Sequence, residues 1–187
     1  MSHGELYPPG RLAAAQQATG AAGLAALIIP PGADLRYLTG YAALPLERLT
    51  CLVLPARGRP TLVVPRLERP AAEASPAPGT GVAIADHADG TDPYPLVATA
   101  LDGMPGPVGL GNQMWAEQVL ALRDVLPGRP QRLAGPVLAE LRMRKSPAEV
   151  AALREAGAAI DAVHREMARW LRPGRTEAEV GADIADA

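Results

Sequence analysis

In the first part of the chain, the apolar residues form short runs. Helix-like stretches lie between these runs. The run at 24–29 contains six consecutive apolar residues and ends at Pro30, a pattern typical of a strand that is covered on both faces. The runs at 49–54 and 61–64 flank a segment with two prolines and a glycine, which predicts a β-hairpin. Two further short strands are predicted at residues 82–85 and 107–111.

Helix signals occupy the intervals between these strands. Residues 94–102 follow Asp92 and Pro93, a favourable cap and first-turn pair. In residues 114–126, apolar side chains recur at helical spacing, and we expect that face to pack on the sheet. The face consists of Trp115, Val119, Leu122 and Leu126. A further helix is predicted at 10–22, and residues 68–74 fit a helix or a loop. Strands that alternate with helices indicate an α/β fold with a mixed sheet flanked by helices.

A different pattern occupies the C-terminal quarter of the chain. Ser146 and Glu149 form a capping box with proline at the first helical position. Mostly apolar residues then step by three and four through 150–171, which predicts one long amphipathic helix. A second capping box follows at Thr176 and Glu179.

The long helix also predicts how the chain divides into domains. A helix with an apolar stripe must bury that stripe against something, and no partner segment follows the second capping box. We therefore expect a complete α/β domain over residues 1–135, with residues 136–187 as the linker and first helices of a second domain whose body is missing. The alternative is a complete small protein with a helical tail.

Charge and composition limit the classes of function. The net charge is −2, from 18 Lys and Arg residues against 20 Asp and Glu residues, so the chain lacks the basic excess that nucleic acid or anionic lipid requires. No apolar run approaches the length of a membrane span, and the start of the chain lacks a signal-peptide pattern. We therefore expect a cytoplasmic protein without nucleic-acid or membrane partners. Cys51 lies in an apolar run and is expected to be a buried, inert thiol.

Three short motifs suggest chemistry, and each has a structural explanation. Gly109 and Gly111 lack the third glycine of a dinucleotide-binding fingerprint, so they predict a tight turn with Asn112 as a helix cap. The acidic segment 86–92 lacks the spacing and the final Glu of a calcium loop, and we expect a solvated turn there. His164 lies on the apolar stripe without a second ligand, so we expect it to be packed or hydrogen-bonded.

Separate segments resemble one enzyme family. Residues 33–41, with the strand at 49–54 and the hairpin arm at 58–64, are similar to the N-terminal domain of creatinase and the Xaa-Pro peptidases, prolidase and aminopeptidase P. Residues 141–156 resemble the linker and first helix of that family's pita-bread catalytic domain, and residues 173–177 resemble the start of its next helix. The order and spacing of these matches extend the resemblance over nearly the whole chain.

The resemblance implies the N-terminal part of a metal-dependent Xaa-Pro dipeptidase or aminopeptidase of the M24 class. Such enzymes are usually homodimers that hydrolyse the bond before proline with two divalent ions, Mn²⁺, Co²⁺ or Zn²⁺. The family's metal ligands, two Asp, one His and two Glu of the α+β pita-bread domain, lie beyond residue 187. The resemblance thus implies that this chain supplies dimerisation and part of the substrate pocket, binds no metal and is inactive alone.

Candidate substrate contacts follow from the same resemblance, because the N-terminal domain reaches across the dimer in this family. We expect the segment 33–41 to flank a strand end, where loops carry binding groups. Tyr41 is a candidate to pack against the substrate, Arg48 a candidate partner for a substrate carboxylate, and Tyr37 a further candidate. The alternative is that these three residues stabilise the sheet edge and the domain interface.

Two other functions fit the same resemblance. The first is a non-catalytic relative in which the fold serves as a peptide-binding or protein-binding and dimerisation module. The second keeps the fold but changes the substrate, as in creatinase or another amidinohydrolase.

Overall fold

The computed structural model describes residues 6–8 and 10–187. These residues form two compact units, one that ends at Arg144 and one over Lys145–Ala187, which we call the sheet unit and the helical unit. In chain order, the sheet unit contains α1 (Gly10–Ala21), β1 (Ala26–Ile29), α2 (Ala33–Thr39), β2 (Cys51–Pro55), β3 (Thr61–Pro65), α3 (Arg69–Ala74), β4 (Ala83–His87), α4 (Tyr94–Ala100), β5 (Val108–Leu110), α5 (Ala116–Val125), β6 (Gln131–Leu133) and α6 (Gly135–Met143). The helical unit contains α7 (Pro147–Trp170) and α8 (Glu177–Asp186).

Six strands form one sheet in the order β4-β3-β2-β1-β5-β6. β2 pairs antiparallel with both β1 and β3, so the predicted hairpin is present. The pairs β1–β5, β5–β6 and β3–β4 are parallel. The expectation of a mixed sheet flanked by helices is therefore confirmed.

Helices cover both faces of the sheet, which explains why its central strands read as continuous apolar runs. Every residue of β1 and β2 is buried. On one face Leu27 and Leu54 belong to a core cluster with residues of α1, α2 and α6. On the other face Ile28 and Val53 belong to a cluster with residues of α4 and α5. Full burial of such an aliphatic side chain contributes about 1.5–3 kcal/mol to stability.

The two helices of the helical unit start at the capping boxes that the sequence predicts. The Ser146 hydroxyl accepts a hydrogen bond from the Glu149 amide, and the Glu149 carboxylate accepts one from the Ser146 amide. Thr176 and Glu179 repeat this arrangement at the start of α8. None of the described residues of α7 is buried, whereas Val180 of α8 is. Among the helices that the structure describes, none combines the length and apolar character needed to cross a membrane.

The segment 33–41 is helical over most of its length, and the sequence patterns did not predict this helix. α2 ends at Gly40, whose φ of 76° places it in the left-handed region and whose amide donates to the Arg36 carbonyl oxygen. Glycine adopts this conformation without steric cost. The helix therefore ends where the sequence has Thr39 and Gly40, and the chain leaves it toward β2.

Three further expectations are wrong in detail. Trp115 is 44% exposed, because α5 begins one residue later and leaves the indole outside its buried face. Asn112 accepts a hydrogen bond from the Gly135 amide over 3.0 Å and so serves the start of α6, not of α5. His164 is exposed rather than packed, since the face of α7 that carries it is not buried.

Candidate functional site

The three candidate residues lie on or after α2, and they differ in how much of each side chain reaches solvent. Tyr37 is part of α2 itself and is half-buried. Its hydroxyl donates to the Leu141 carbonyl oxygen over 3.2 Å. The Arg11 guanidinium lies 4.1 Å from its ring centroid, a cation–π distance. These contacts connect α2 with the chain segments at both ends of the sheet unit.

Tyr41 is nearly buried, with 6% of its surface exposed. Its hydroxyl donates to the Glu68 carboxylate over 3.4 Å, and the Thr50 hydroxyl donates to the same oxygen over 3.4 Å. Burial, and secondarily the negative charge and hydrogen bond of Glu68, raise the pKa of Tyr41 to about 12. The ring is therefore a neutral, hydrogen-bonded part of the core.

Arg48 is half-buried, with 29% of its side chain exposed. Its Nη1 donates to Asp89 over 3.2 Å, and its Nε lies 3.9 Å from a Glu47 carboxylate oxygen. The Nε–H is inaccessible to solvent and has no hydrogen-bond acceptor among the described residues. Arg48 is thus positioned by its ion pair with Asp89, and part of its side chain stays open to solvent.

Arg48 lies in the wall of a pocket of about 330 Å³, which we call the Arg48 pocket. The pocket is formed by residues 47–49, 87–91 and 93–94, together with Glu117 of α5. β4 pairs in parallel with β3 as far as His87, which lies opposite Pro65. This pairing places the loop after β4 next to the segment before β2. Sequence reasoning did not bring these segments together.

His87 is the buried polar residue of this pocket, with 7% of its surface exposed. Its Nε2 lies 3.0 Å from the Leu49 carbonyl oxygen. The expectation that segment 86–92 is a solvated turn is therefore wrong at its start, because β4 continues through His87. The neighbouring Asp86 carboxylate accepts from Arg66 over 2.8 Å and from Arg69 over 2.5 Å. Those two hydrogen bonds lower the pKa of Asp86.

A second pocket, of about 240 Å³, lies where the carboxyl ends of β1 and β5 meet the start of α6. Open α/β sheets commonly bind ligands at this edge. In this protein the charged side chains of the pocket pair with each other, because Arg142 donates to Asp34 over 2.6 Å. Asn112, also in the wall, accepts from the Gly135 amide.

The described residues offer neither a metal site nor a solvent-accessible thiol. Across residues 6–8 and 10–187, no group of three or more His, Cys, Asp and Glu side chains could hold a metal ion. The described residues therefore do not fit a dinuclear centre. Cys51 is fully buried, and burial raises the pKa of its thiol to about 12, so the expectation of a buried, inert thiol is confirmed.

Residues 11–144 match the family described as the creatinase/prolidase N-terminal domain. This chain belongs to that family. The match confirms the resemblance found in the sequence, and it covers α1 to α6, the helices and strands that build the two pockets described above.

Relatives of the family extend the similarity into the helical unit. The chain is 51% identical over 177 residues to the probable dipeptidase PepE of Mycobacterium tuberculosis, which covers 95% of this chain and 47% of that protein. The crystal structure of dipeptidase PepE from Mycobacterium ulcerans superposes with a TM-score of 0.83 at 52% identity, covering 99% of this chain and 49% of that one. Recombinant prolidase from Thermococcus sibiricus gives a TM-score of 0.80 at 27% identity, covering 93% and 47%. The chain spans about half the length of these relatives and is homologous to the N-terminal half of PepE and prolidase.

Proposed function

We propose that this chain is the N-terminal part of a metal-dependent Xaa-Pro dipeptidase or aminopeptidase of the M24 class. The observation that carries the proposal is the 51% identity to PepE, a probable dipeptidase, over 95% of the chain. In this proposal residues 1–135 form the creatinase/prolidase N-terminal-like domain. Residues 136–187 supply the linker, which includes most of α6 of the sheet unit, and the first helices of the catalytic domain.

Catalysis in this proposal takes place in the other half of the protein. Hydrolysis there would use two divalent ions, Mn²⁺, Co²⁺ or Zn²⁺. The described residues do not fit such a centre. In this proposal the role of this chain is dimerisation and part of the wall of the partner subunit's substrate pocket. A cytoplasmic location belongs to the same proposal, and the single cysteine of the chain is consistent with it.

Arg48 is the residue that we propose for direct substrate contact. Its side chain is partly exposed, so the guanidinium can donate to the free carboxylate of an Xaa-Pro dipeptide. We assign Tyr41 and Tyr37 to the support of this contact. Their hydroxyls bind Glu68 and the Leu141 carbonyl, which anchors the segment that presents Arg48.

The test uses the full-length protein with Mn²⁺ and compares Arg48→Ala with Arg123→Ala, an exposed arginine of α5. The parent protein should release proline from an Xaa-Pro dipeptide, and chelation of the metal should abolish this activity. Loss of a charged hydrogen bond of about 1.5–3 kcal/mol predicts a 10- to 100-fold rise in KM for Arg48→Ala. The rise should be absent with an Xaa-prolinamide, which has no carboxylate. An unchanged KM for the dipeptide would contradict the role of Arg48, and absence of any proline release would contradict the enzyme class.

A further inference from the structure

The pocket of about 240 Å³ lies where the chain leaves two neighbouring parallel strands in opposite directions. After β1 the chain passes through α2 to β2 on one side, and after β5 it passes through α5 to β6 on the other side. α2 packs on one face of the sheet and α5 packs on the opposite face. The loops that follow β1 and β5 therefore diverge and leave a crevice between them. Such a crevice is the usual place for a ligand in an open α/β sheet.

This pocket, which we call the switch-point pocket, combines apolar side chains with one charge of each sign. It is lined by residues 29–34, 111–113, 135, 138, 139 and 142. Ile29, Pro31 and Leu138 are buried members of this lining. Asp34 and Arg142 are its charged members, and their side chains are 28% and 45% exposed. Among the described residues, none lines both this pocket and the Arg48 pocket.

The ion pair between Asp34 and Arg142 leaves hydrogen-bonding atoms for a ligand. Nη1 of Arg142 donates to Oδ1 of Asp34 over 2.6 Å, and neither side chain forms another hydrogen bond with the residues that the structure describes. Oδ2 of Asp34 is in addition accessible to solvent. The guanidinium has further N–H donors besides the one used, and a carboxylate oxygen can only accept. The pair therefore presents donors and an acceptor side by side.

We propose that the switch-point pocket binds a free α-amino acid with an apolar side chain, in its zwitterionic form. The ligand carboxylate accepts from the Arg142 guanidinium, and the ligand ammonium donates to Asp34. Because the wall carries one charge of each sign, each charge of the ligand finds an opposite charge. The volume of about 240 Å³ is below the range of about 300–1,000 Å³ for drug-sized ligands, which suits a molecule as small as an amino acid. This inference goes beyond the proposed function, because it needs neither the metal ions nor a partner subunit.

The experiment is an NMR titration of the 187-residue chain with three probes that differ in charge. L-valine is the zwitterion, N-acetyl-L-valine lacks the ammonium, and L-valinamide lacks the carboxylate. L-valine should shift the amide signals of residues 111–113 and 138–139 at millimolar concentration, and both analogues should leave them unchanged. The proposal would be overturned by no shift with L-valine, by equal shifts with either analogue, or by shifts confined to residues 87–91 of the Arg48 pocket.

Three variants test the two charges separately. Arg142→Gln and Asp34→Asn should each weaken the binding of L-valine about two- to fivefold, the range of partly exposed ion pairs. Arg123→Gln is the matched control, because Arg123 is an exposed arginine of α5 that also lies beside a carboxylate, and it should leave the affinity unchanged. An affinity of Arg142→Gln or Asp34→Asn equal to that of the control would refute the zwitterion site. All three side chains are partly exposed, so the variants should fold.

Discussion

The sheet unit and the helical unit carry equally clear apolar patterns but differ in burial. In the sheet unit the apolar runs of β1 and β2 are buried along their whole length. In the helical unit the stripe of α7 keeps helical spacing over 24 residues, yet Leu153 and Ile160 are 59% and 58% exposed. Periodicity therefore identifies the apolar face of an element, whereas burial depends on which other elements cover that face.

The two units also differ in what fixes the ends of their helices. In the helical unit, capping boxes at Ser146 and Thr176 satisfy the first amides from within the helix. In the sheet unit, α5 begins without a side-chain cap, and the start of α6 uses Asn112 from 23 residues earlier in the chain. Local sequence thus determines the helical unit, and tertiary contacts determine more of the sheet unit.

Truncation of a leucine in each unit should give the largest contrast. Leu52 of β2 is fully buried between the helices of the sheet unit, and Leu153 of α7 is 59% exposed. Leu52→Ala should lower the free energy of unfolding by about 2–5 kcal/mol because it leaves a cavity. Leu153→Ala should change it by less than about 0.5 kcal/mol. Urea unfolding measures both, and a comparable loss for Leu153→Ala would show that its face is covered in solution.

Addition of one methyl group should act with opposite sign in the two units. A Cβ on Gly111 would lie 2.2 Å from Pro30 Cδ, and overpacking of this kind costs about 1–3 kcal/mol. A Cβ on Gly157, inside α7, would meet no atom within 4 Å, and Gly→Ala inside a helix stabilises by about 1 kcal/mol. Urea unfolding for Gly111→Ala and amide exchange of α7 for Gly157→Ala provide the measurements. A stable Gly111→Ala protein would show that the contact between β5 and the end of β1 can relax.

Most strands of the sheet unit were predictable because they are short apolar runs with proline or glycine residues near their ends. β6 was not, since Gln131 and Arg132 lack an apolar pattern, and this strand forms through backbone pairing with β5. α2 was missed because its short apolar pattern, with buried Leu35 and Leu38, lies between residues typical of loops. Tertiary pairing therefore decides the short elements, whose own sequence signal is weak.

The candidate site was predictable only in part. Arg48 stands in a segment between α2 and β2 that the resemblance already indicated. Its partner Asp89 is 41 residues away, and the hydrogen bond between His87 and Leu49 joins residues 38 apart. These contacts depend on the register of β4 against β3, which no local pattern specifies. Tyr41 shows the converse, because the resemblance made it a candidate substrate contact and its ring lies in the core.

Acid sensitivity should give the smallest contrast, since among the residues that the structure describes each unit has one carboxylate whose pKa is lowered. For Asp86 in the sheet unit, hydrogen bonds from Arg66 and then Arg69 lower the pKa below its ordinary 3.8. For Glu179 in the helical unit, the hydrogen bond from the Thr176 backbone amide, and then that from its hydroxyl, lower the pKa below 4.5. A lowered folded-state pKa means that each contribution is complete above the unfolded-state value and is lost as the pH falls through the folded-state value.

Asp86→Asn should therefore flatten the decline of the urea midpoint of the sheet unit below about pH 4. Asp102→Asn, at an exposed position after α4, is the matched control and should keep the full decline. Glu179→Gln should flatten only the acid-induced loss of amide protection at the start of α8, because its hydrogen bonds stay within one helical turn. If Glu179→Gln altered the urea midpoint of the sheet unit as strongly as Asp86→Asn does, acid stability would be shared between the two units. That result would contradict the contrast between local capping in the helical unit and tertiary contacts in the sheet unit.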